Sequence, residues 1–421
     1  MPDNDITQLL DRAGISYSPD LSRGLANVRT RAARRKRVRR TTSFALVVGV
    51  VAAVVVLILT VPGRQSANAV YLRISPTARV VDLSGPTNGL TNVYFADSVH
   101  GLAMEQNCVL SPVANTVCSL RIVRTDDAGV KWRPVGQTLH VTYPDSRASY
   151  PFIQFATNGK DGWIYGSETF VTHDGGQTFT ADGPGGLVSD LTIVGDKTWA
   201  LGRPCPPSVP GCTSTLFSIP TEGGPWQIVR GAPKLYYPYL QLVRTSAQDA
   251  LLAAQATSGT LYTTADGGMS WKSHPLPSLC DQLQHLTAFG SNDIWALCSA
   301  ATPNDSQTKE LYHSADGGNT WALAATSSPG GGPNVGTLPL SGIVTLLTSV
   351  SPDRLLVAFD QGPPITSTDE GRTWTPQGLP AMGEVQQLTF TDAEHGWAVL
   401  LPNDTLYRTS DGGSVWTSAG S

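Results

Sequence analysis

The amino-acid sequence predicts an all-β fold, a seven-bladed β-propeller preceded by one transmembrane helix, and three observations carry that prediction. A short turn motif, Ser/Thr-x-Asp-x-Gly-x-x-Trp in its fullest form, recurs between residues 125 and 416. Each copy follows two short runs of apolar and aromatic residues divided by Asn, Asp, Gly and Pro, the pattern of β-strands joined by tight turns. Ahead of all copies lies "SFALVVGVVAAVVVLILTV", Ser43 to Val61, without a single charge.

The motif reads "TDDAGVKW", "THDGGQTF", "TADGGMSW", "SADGGNTW", "STDEGRTW" and "TSDGGSVW", with its aspartates at Asp127, Asp174, Asp266, Asp316, Asp369 and Asp411. Their separations are 47, 92, 50, 53 and 42 residues, so one interval is about twice the rest. A degenerate copy fills its middle: "PTEGGPW", Pro220 to Trp226, keeps the Gly-Gly and the Trp. That makes seven units. Within each, strand A, a turn, strand B, a variable loop and strand C lead to the motif, and strand D begins at the Trp. Four strands per unit repeated at this period is the mark of a propeller.

The domains expected are a basic cytoplasmic tail over 1–42, a transmembrane helix over 43–62, a linker with a possible ring-closing strand over 63–84, and the propeller over 85–421. Residues 1–42 hold ten Lys/Arg against four Asp/Glu, whereas the remainder carries a net −10. The apolar run would span roughly 28 Å as a helix, enough for a bilayer core. With its cationic flank on the N-terminal side, it places the tail in the cytoplasm and the propeller outside, in a single-pass membrane protein. A cleaved signal peptide is the competing reading, because Ala67 and Ala69 form an A-x-A pattern; the long leader and long apolar run favour the uncleaved anchor. The basic run has no aromatic residue to stack on bases, so nucleic acid is not an expected partner.

All six cysteines follow the apolar run, which reads as disulfides in an oxidising compartment. Local pairing predicts Cys108–Cys118, Cys205–Cys212 and Cys280–Cys298, each placed in B–C or D–A loops. No C-x-x-C pair or adjacent histidine suggests zinc, and one carboxylate per turn does not make a calcium site, so neither metal nor cofactor is expected.

Each part of the motif has a structural use. The aspartate accepts hydrogen bonds from nearby backbone N–H groups, the glycine supplies unusual backbone angles, and Trp132, Trp271, Trp321, Trp374 and Trp416 provide apolar bodies for packing. A catalytic carboxylate would not be repeated around a ring, and no catalytic residue is assigned. His100 and His395, in "DSVHG" and "DAEHG", occupy equivalent A–B turns.

These repeats resemble the BNR/Asp-box propeller superfamily, and "HGWAV" with "LYRTSDGGSVW" is similar to its photosystem II assembly-factor-like and xyloglucan-hydrolase-like branches. The tail, the anchor and the composition resemble an actinobacterial surface protein. The superfamily includes glycosidases, assembly factors and sorting receptors, so the resemblance implies fold more than function. Sialidase-like members also need an arginine triad; Arg73 in "YLRISP" matches their first arginine imperfectly, and nothing marks two of Arg203, Arg230, Arg244 and Arg354 as its partners.

The function expected is a membrane-anchored extracytoplasmic module that binds or assembles a protein or glycan ligand, with a cell-surface glycoside hydrolase as the alternative. The candidate ligand face is the side bearing the B–C and D–A loops, with Lys234, Tyr236, Tyr237, Tyr239, Tyr143, Tyr150 and Arg203. Tyrosines there offer flat amphipathic contact area.

Overall fold

A computed structural model describes residues 90–419, apart from 110–115, 144–150, 204–212, 236–239, 255–258, 278–279, 281, 302–306, 329–331, 333, 352, 380–383 and 402–403. The apolar run 43–61, the basic tail, the segment 63–84, Cys205, Cys212, Tyr150, Tyr236, Tyr237 and Tyr239 lie outside the described residues. Among the described residues no helix is long and apolar enough to cross a membrane.

Seven antiparallel sheets follow one another along the chain, each an up-and-down meander. Blade 1 comprises β1 (Leu90–Phe95), β2 (Gly101–Val109), β3 (Thr116–Thr125) and β4 (Arg133–Tyr143). Blade 2 comprises β5 (Phe152–Phe155), β6 (Gly162–Tyr165), β7 (Phe170–Thr172) and β8 (Thr180–Ala181). Blade 3 comprises β9 (Leu187–Val194), β10 (Lys197–Arg203), β11 (Thr215–Pro220) and β12 (Gln227–Ile228). Blade 4 comprises β13 (Leu240–Arg244), β14 (Ala250–Ala254), β15 (Thr260–Thr264) and β16 (Lys272–Pro275). Blade 5 comprises β17 (Gln282–Phe289), β18 (Asp293–Ala301), β19 (Gln307–Ser314) and β20 (Ala322–Thr326), extended by β21 (Gly336–Thr337), which pairs parallel with β20. Blade 6 comprises β22 (Val344–Ser351), β23 (Arg354–Phe359), β24 (Ile365–Ser367) and β25 (Thr375–Pro376). Blade 7 comprises β26 (Val385–Phe390), β27 (Gly396–Leu400), β28 (Thr405–Thr409) and β29 (Thr417–Ser418). The degenerate unit therefore forms a full blade, the third.

The ring closes because each strand A touches the next one around, β26 finally meeting β1. The outermost strands of blades 2, 3, 6 and 7 are only two residues long, which leaves little exposed edge for pairing with another chain.

Hydrophobic residues gather between blades rather than within them. Among the described residues seven core clusters occur, one at each junction, and the one joining blade 7 to blade 1 includes Val93, Phe95, Ala103, Trp397 and Leu406. Trp163, Trp199, Trp295 and Trp397 stand at matching places on strand B and are buried. Strand B opens with Gly101, Gly162 or Gly396 for a steric reason. A Cβ on these glycines would meet the ring of Phe95, Phe155 or Phe390 at 2.6, 2.4 and 2.5 Å.

Polar side chains on the innermost strands knit the ring. The position just before the core residue of strand A is Asn92, Phe152, Asp190, Gln241, His285, Leu346 and Gln387 in successive blades. In blades 1, 3, 5, 6 and 7 a register shift falls immediately before this position, a bulge of the kind that re-aims a side chain. Each polar residue here bonds the backbone of the next blade. Asn92 donates to the Pro151 carbonyl at 3.3 Å, Asp190 accepts from the Leu242 N–H at 3.0 Å, and His285 donates to the Val344 carbonyl at 3.3 Å. Gln241 donates to the Gln284 carbonyl at 2.7 Å and accepts from the Leu286 N–H at 2.6 Å. Phe152 and Leu346 have no such group to offer, so the 2–3 and 6–7 junctions lack this staple.

The structure corrects the placement of the cysteines. Cys108 and Cys118 are opposite residues of β2 and β3, and Cys298 lies in β18, so these three sit in strands rather than in loops. The polar residues of "MEQNCV" hide the length of β2, because every second side chain of a blade strand can face outward. Cys280 and Cys298 are disulfide-bonded with Cα atoms 5.1 Å apart, inside the core shared by blades 4 and 5. Cys118 is also disulfide-bonded.

Candidate functional site at the ring seam

The meander puts A–B turns and C–D turns on one face and the B–C and D–A connections on the other. The two kinds of turn are tied together by backbone bonds: Ala128 to Val99, Gly175 to Lys160, Gly267 to Gln248, Gly317 to Asn292 and Gly412 to Glu394, N–H to carbonyl, at 2.8 to 3.1 Å. This turn face is consequently stiff.

The motif aspartates are engaged in the turns themselves. In blade 5, the Ser314 hydroxyl donates to Asp316 Oδ1 at 2.8 Å and accepts from the Gly318 N–H at 2.8 Å. The Thr320 N–H donates to the same Oδ1 at 2.8 Å, while its hydroxyl donates to Oδ2 at 2.7 Å. These bonds favour the carboxylate, and the side-chain bond from Thr320 leads in pulling Asp316 down to about 2. Asp127, Asp174, Asp266, Asp369 and Asp411 each repeat the Oδ1 arrangement. Trp132, Trp271 and Trp374 donate their indole N–H to the motif glycine carbonyl at 3.0, 3.2 and 2.9 Å; Trp321 reaches Pro275 at 3.2 Å, and Trp416 is buried between blades 6 and 7. His100 and His395 each place Nδ1 against the carboxylate of Asp97 or Asp392, at 2.8 and 2.9 Å.

The second carboxylate oxygen separates the blades into two kinds. A hydroxyl four residues after the aspartate fills it in blades 2, 4, 5 and 6, from Thr178, Ser270, Thr320 and Thr373. In blades 1 and 7 that place belongs to Lys131 and Val415, so among the described residues Oδ2 of Asp127 and of Asp411 receives no hydroxyl from this position. These are the two blades that meet at the seam.

A cleft of about 580 Å³ opens there on the turn face. Its lining includes Ser98 from blade 1 and His395, Arg408, Ser410, Asp411 and Val415 from blade 7, over Trp397. Trp397 stacks on Phe95 with ring centroids 3.7 Å apart and donates to the Ala128 carbonyl at 3.1 Å, which fixes the floor. The Val415 N–H at 2.9 Å holds the Asp411 carboxyl below its usual range. Among the described residues, the Arg408 guanidinium has no ion pair or hydrogen bond. Val415 is 60% exposed. Sequence reasoning pointed to the opposite face, although the loss of the hydroxyl at Lys131 and Val415 was a signal in plain view.

On that opposite side, Lys234 is exposed and Arg203 is partly buried at the end of β10; Tyr143 ends β4. Lys309 is a residue that no motif announces. It is 1% exposed, burial pushes its ammonium below the usual value, and it donates to the carbonyls of Pro339 and Leu340 at 2.9 and 3.0 Å, pinning the connection from blade 5 to blade 6. Arg244 and Arg354 are not brought together. Arg244 lies over Trp199 at 4.5 Å and donates to the Lys197 carbonyl at 2.7 Å; Arg354 donates to the carbonyls of Ala393 and Gly412 at 2.9 and 3.1 Å.

No family model and no curated protein matches this chain. Among solved structures it is similar to YCF48 bound to D1 peptide, with a TM-score of 0.54 and 17% identity over 78% of this chain and 95% of that one. It is similar to YCF48 from Cyanidioschyzon merolae, with a TM-score of 0.51 and 13% identity over 78% and 97% of the two chains. The β-propeller domain of the Trilobed protease from Pyrococcus furiosus, which has an open velcro topology, gives 0.50 and 9% over 79% and 97%. At such identities the likeness is one of fold, and the chain is a seven-bladed β-propeller.

Proposed function

We propose that this protein is a membrane-anchored, extracytoplasmic binding module that holds a peptide segment of a protein partner. The observation that carries the reading is the ring itself, whose fold is shared with a protein solved with a bound peptide, combined with an open cleft whose arginine has no partner among the described residues. The uncharged run from Ser43 to Val61 behind a basic flank supports the anchor. Disulfide bonding of Cys118 and of Cys280 with Cys298 supports an oxidising compartment. The motif carboxylates serve as turn acceptors, so the reading does not draw on them for hydrolysis.

The test is photo-crosslinking in intact membranes of the full chain, with the crosslinker placed at Ser410 on the turn face or at Lys234 on the loop face. A discrete protein adduct from either position supports the module, and the position that yields it identifies the face. Absence of any adduct from both positions, with the protein present at normal levels, overturns the reading. Protease added outside intact cells should remove the propeller and spare the tail.

A further inference from the structure

We infer that the seam cleft between blades 7 and 1 is a carboxylate-recognition site for a peptide, with Arg408 as the residue that binds the carboxylate. The inference rests on the binding-module reading and adds the group recognised and the residue responsible.

The cleft presents an unusual combination. Other arginines on this face are committed: Arg124 and Arg133 to Asp126, Arg372 to Glu370, and Arg354 to the carbonyls of Ala393 and Gly412. Arg408 lines the cleft without a partner among the described residues. A guanidinium offers two parallel N–H donors that match a carboxylate, and such pairs are stronger than neutral hydrogen bonds. His395 also lines the cleft, with Nδ1 held by Asp392, so its other ring nitrogen can serve a second oxygen. Ser98 and Ser410 add hydroxyls.

The acceptor beside them selects against a bare anion. Asp411 is held ionised by its turn, and its Oδ2 lacks the hydroxyl that four other blades supply. A ligand that brings only negative charge would be repelled by it. A peptide brings backbone N–H donors next to its carboxylate and satisfies both. The exposed Val415 supplies aliphatic contact for a side chain. A sugar acid fits less well, because the aromatic ring in the lining, Trp397, is 1% exposed and offers no stacking face.

The experiment selects from a library of random nine-residue peptides with free C-termini against the full chain, then measures enriched peptides on three proteins: wild type, Arg408→Gln and Val415→Thr. Val415→Thr restores the turn hydroxyl common to other blades, so it should fold normally while occupying Asp411 Oδ2. Enriched peptides should lose at least tenfold in affinity on Arg408→Gln and about threefold on Val415→Thr, with melting temperatures unchanged. Amidating the C-terminus then separates a terminal carboxylate from an Asp or Glu side chain. Peptides that bind Arg408→Gln as tightly as wild type overturn the cleft assignment and leave the module reading standing. If no peptide is enriched, but glucuronate or N-acetylneuraminate binds in an Arg408-dependent way, the peptide assignment and the peptide-module reading both fall. Absence of binding by every probe overturns both as well.

Discussion

The side-chain amide of Gln387 brackets the backbone of Val93, accepting from its N–H at 2.8 Å and donating to its carbonyl at 2.6 Å across 294 residues of sequence. The amide thus completes the backbone pairing that a neighbouring strand would otherwise supply. We predict a graded cost for losing such staples. Gln387→Leu and Gln241→Leu each strand two backbone groups and should destabilise by about 2–3 kcal/mol, whereas Asn92→Leu, which loses one bond, should cost about 1 kcal/mol. Denaturant unfolding of the three variants checks the order. Equal values for all three would show that the staples contribute nothing specific.

Asp190 is the one carboxylate in this belt, and burial pushes it up to about 7. The unfolded value is about 3.9, so the folded state favours the protonated form. Its contribution is complete below that value and is lost as pH rises through about 7. Asp190→Asn keeps an oxygen for the Leu242 N–H and removes the ionisation. We predict that it melts higher than wild type at pH 8 and at the same temperature at pH 4. Parallel melting curves at both pH values would refute this.

The motif aspartates titrate in the opposite sense. Asp266 and Asp316 are held at about 2, mainly by side-chain bonds from Ser270 and Thr320, so the stability they provide is present above pH 4 and fades as pH falls toward 2. Asp316→Ala removes three accepted bonds and should lower the unfolding midpoint at neutral pH. The difference from wild type should shrink between pH 4 and pH 2, as measured by acid-dependent unfolding.

The disulfide between Cys280 and Cys298 closes a loop over a sequence separation of 18. A crosslink of that span is worth roughly 3 kcal/mol through restriction of the unfolded chain. Replacing both cysteines with alanine should therefore lower the unfolding midpoint, and reducing agent should lower wild type by more than it lowers the double variant, which keeps the disulfide at Cys118. Both sulfurs are buried, so reduction should require partial unfolding of blades 4 and 5.

Blade number was legible in the sequence because each motif repeats its chemistry within eight residues, and local hydrogen bonding needs no partner elsewhere. The degenerate third copy was found from spacing, since Gly223, Gly224 and Trp226 survived the loss of the aspartate. The belt was hidden for a different reason. A bulge precedes its position in five blades, which breaks the alternation by which facing side chains are recognised. The cleft was hidden by distance, because Ser98 and Asp411 become neighbours only when the ring closes. Cys108, Cys118 and Cys298 were misplaced because polar residues in β2, in β3 and at the start of β19, the partner of β18, resembled loop composition.

The junction between Phe95 and Trp397 also sets an order of events in time. Synthesis delivers blade 1 first, yet the indole that covers Phe95 arrives 302 residues later, within the last blade. Until then an aromatic face stays bare on a chain that is already six-sevenths built, and such surfaces invite wrong contacts. At rates of about 5–20 residues per second that wait lasts roughly 15–60 seconds, long enough for a chaperone to matter. The seam that offers a cleft to a partner is thus also the last part of the ring to be made.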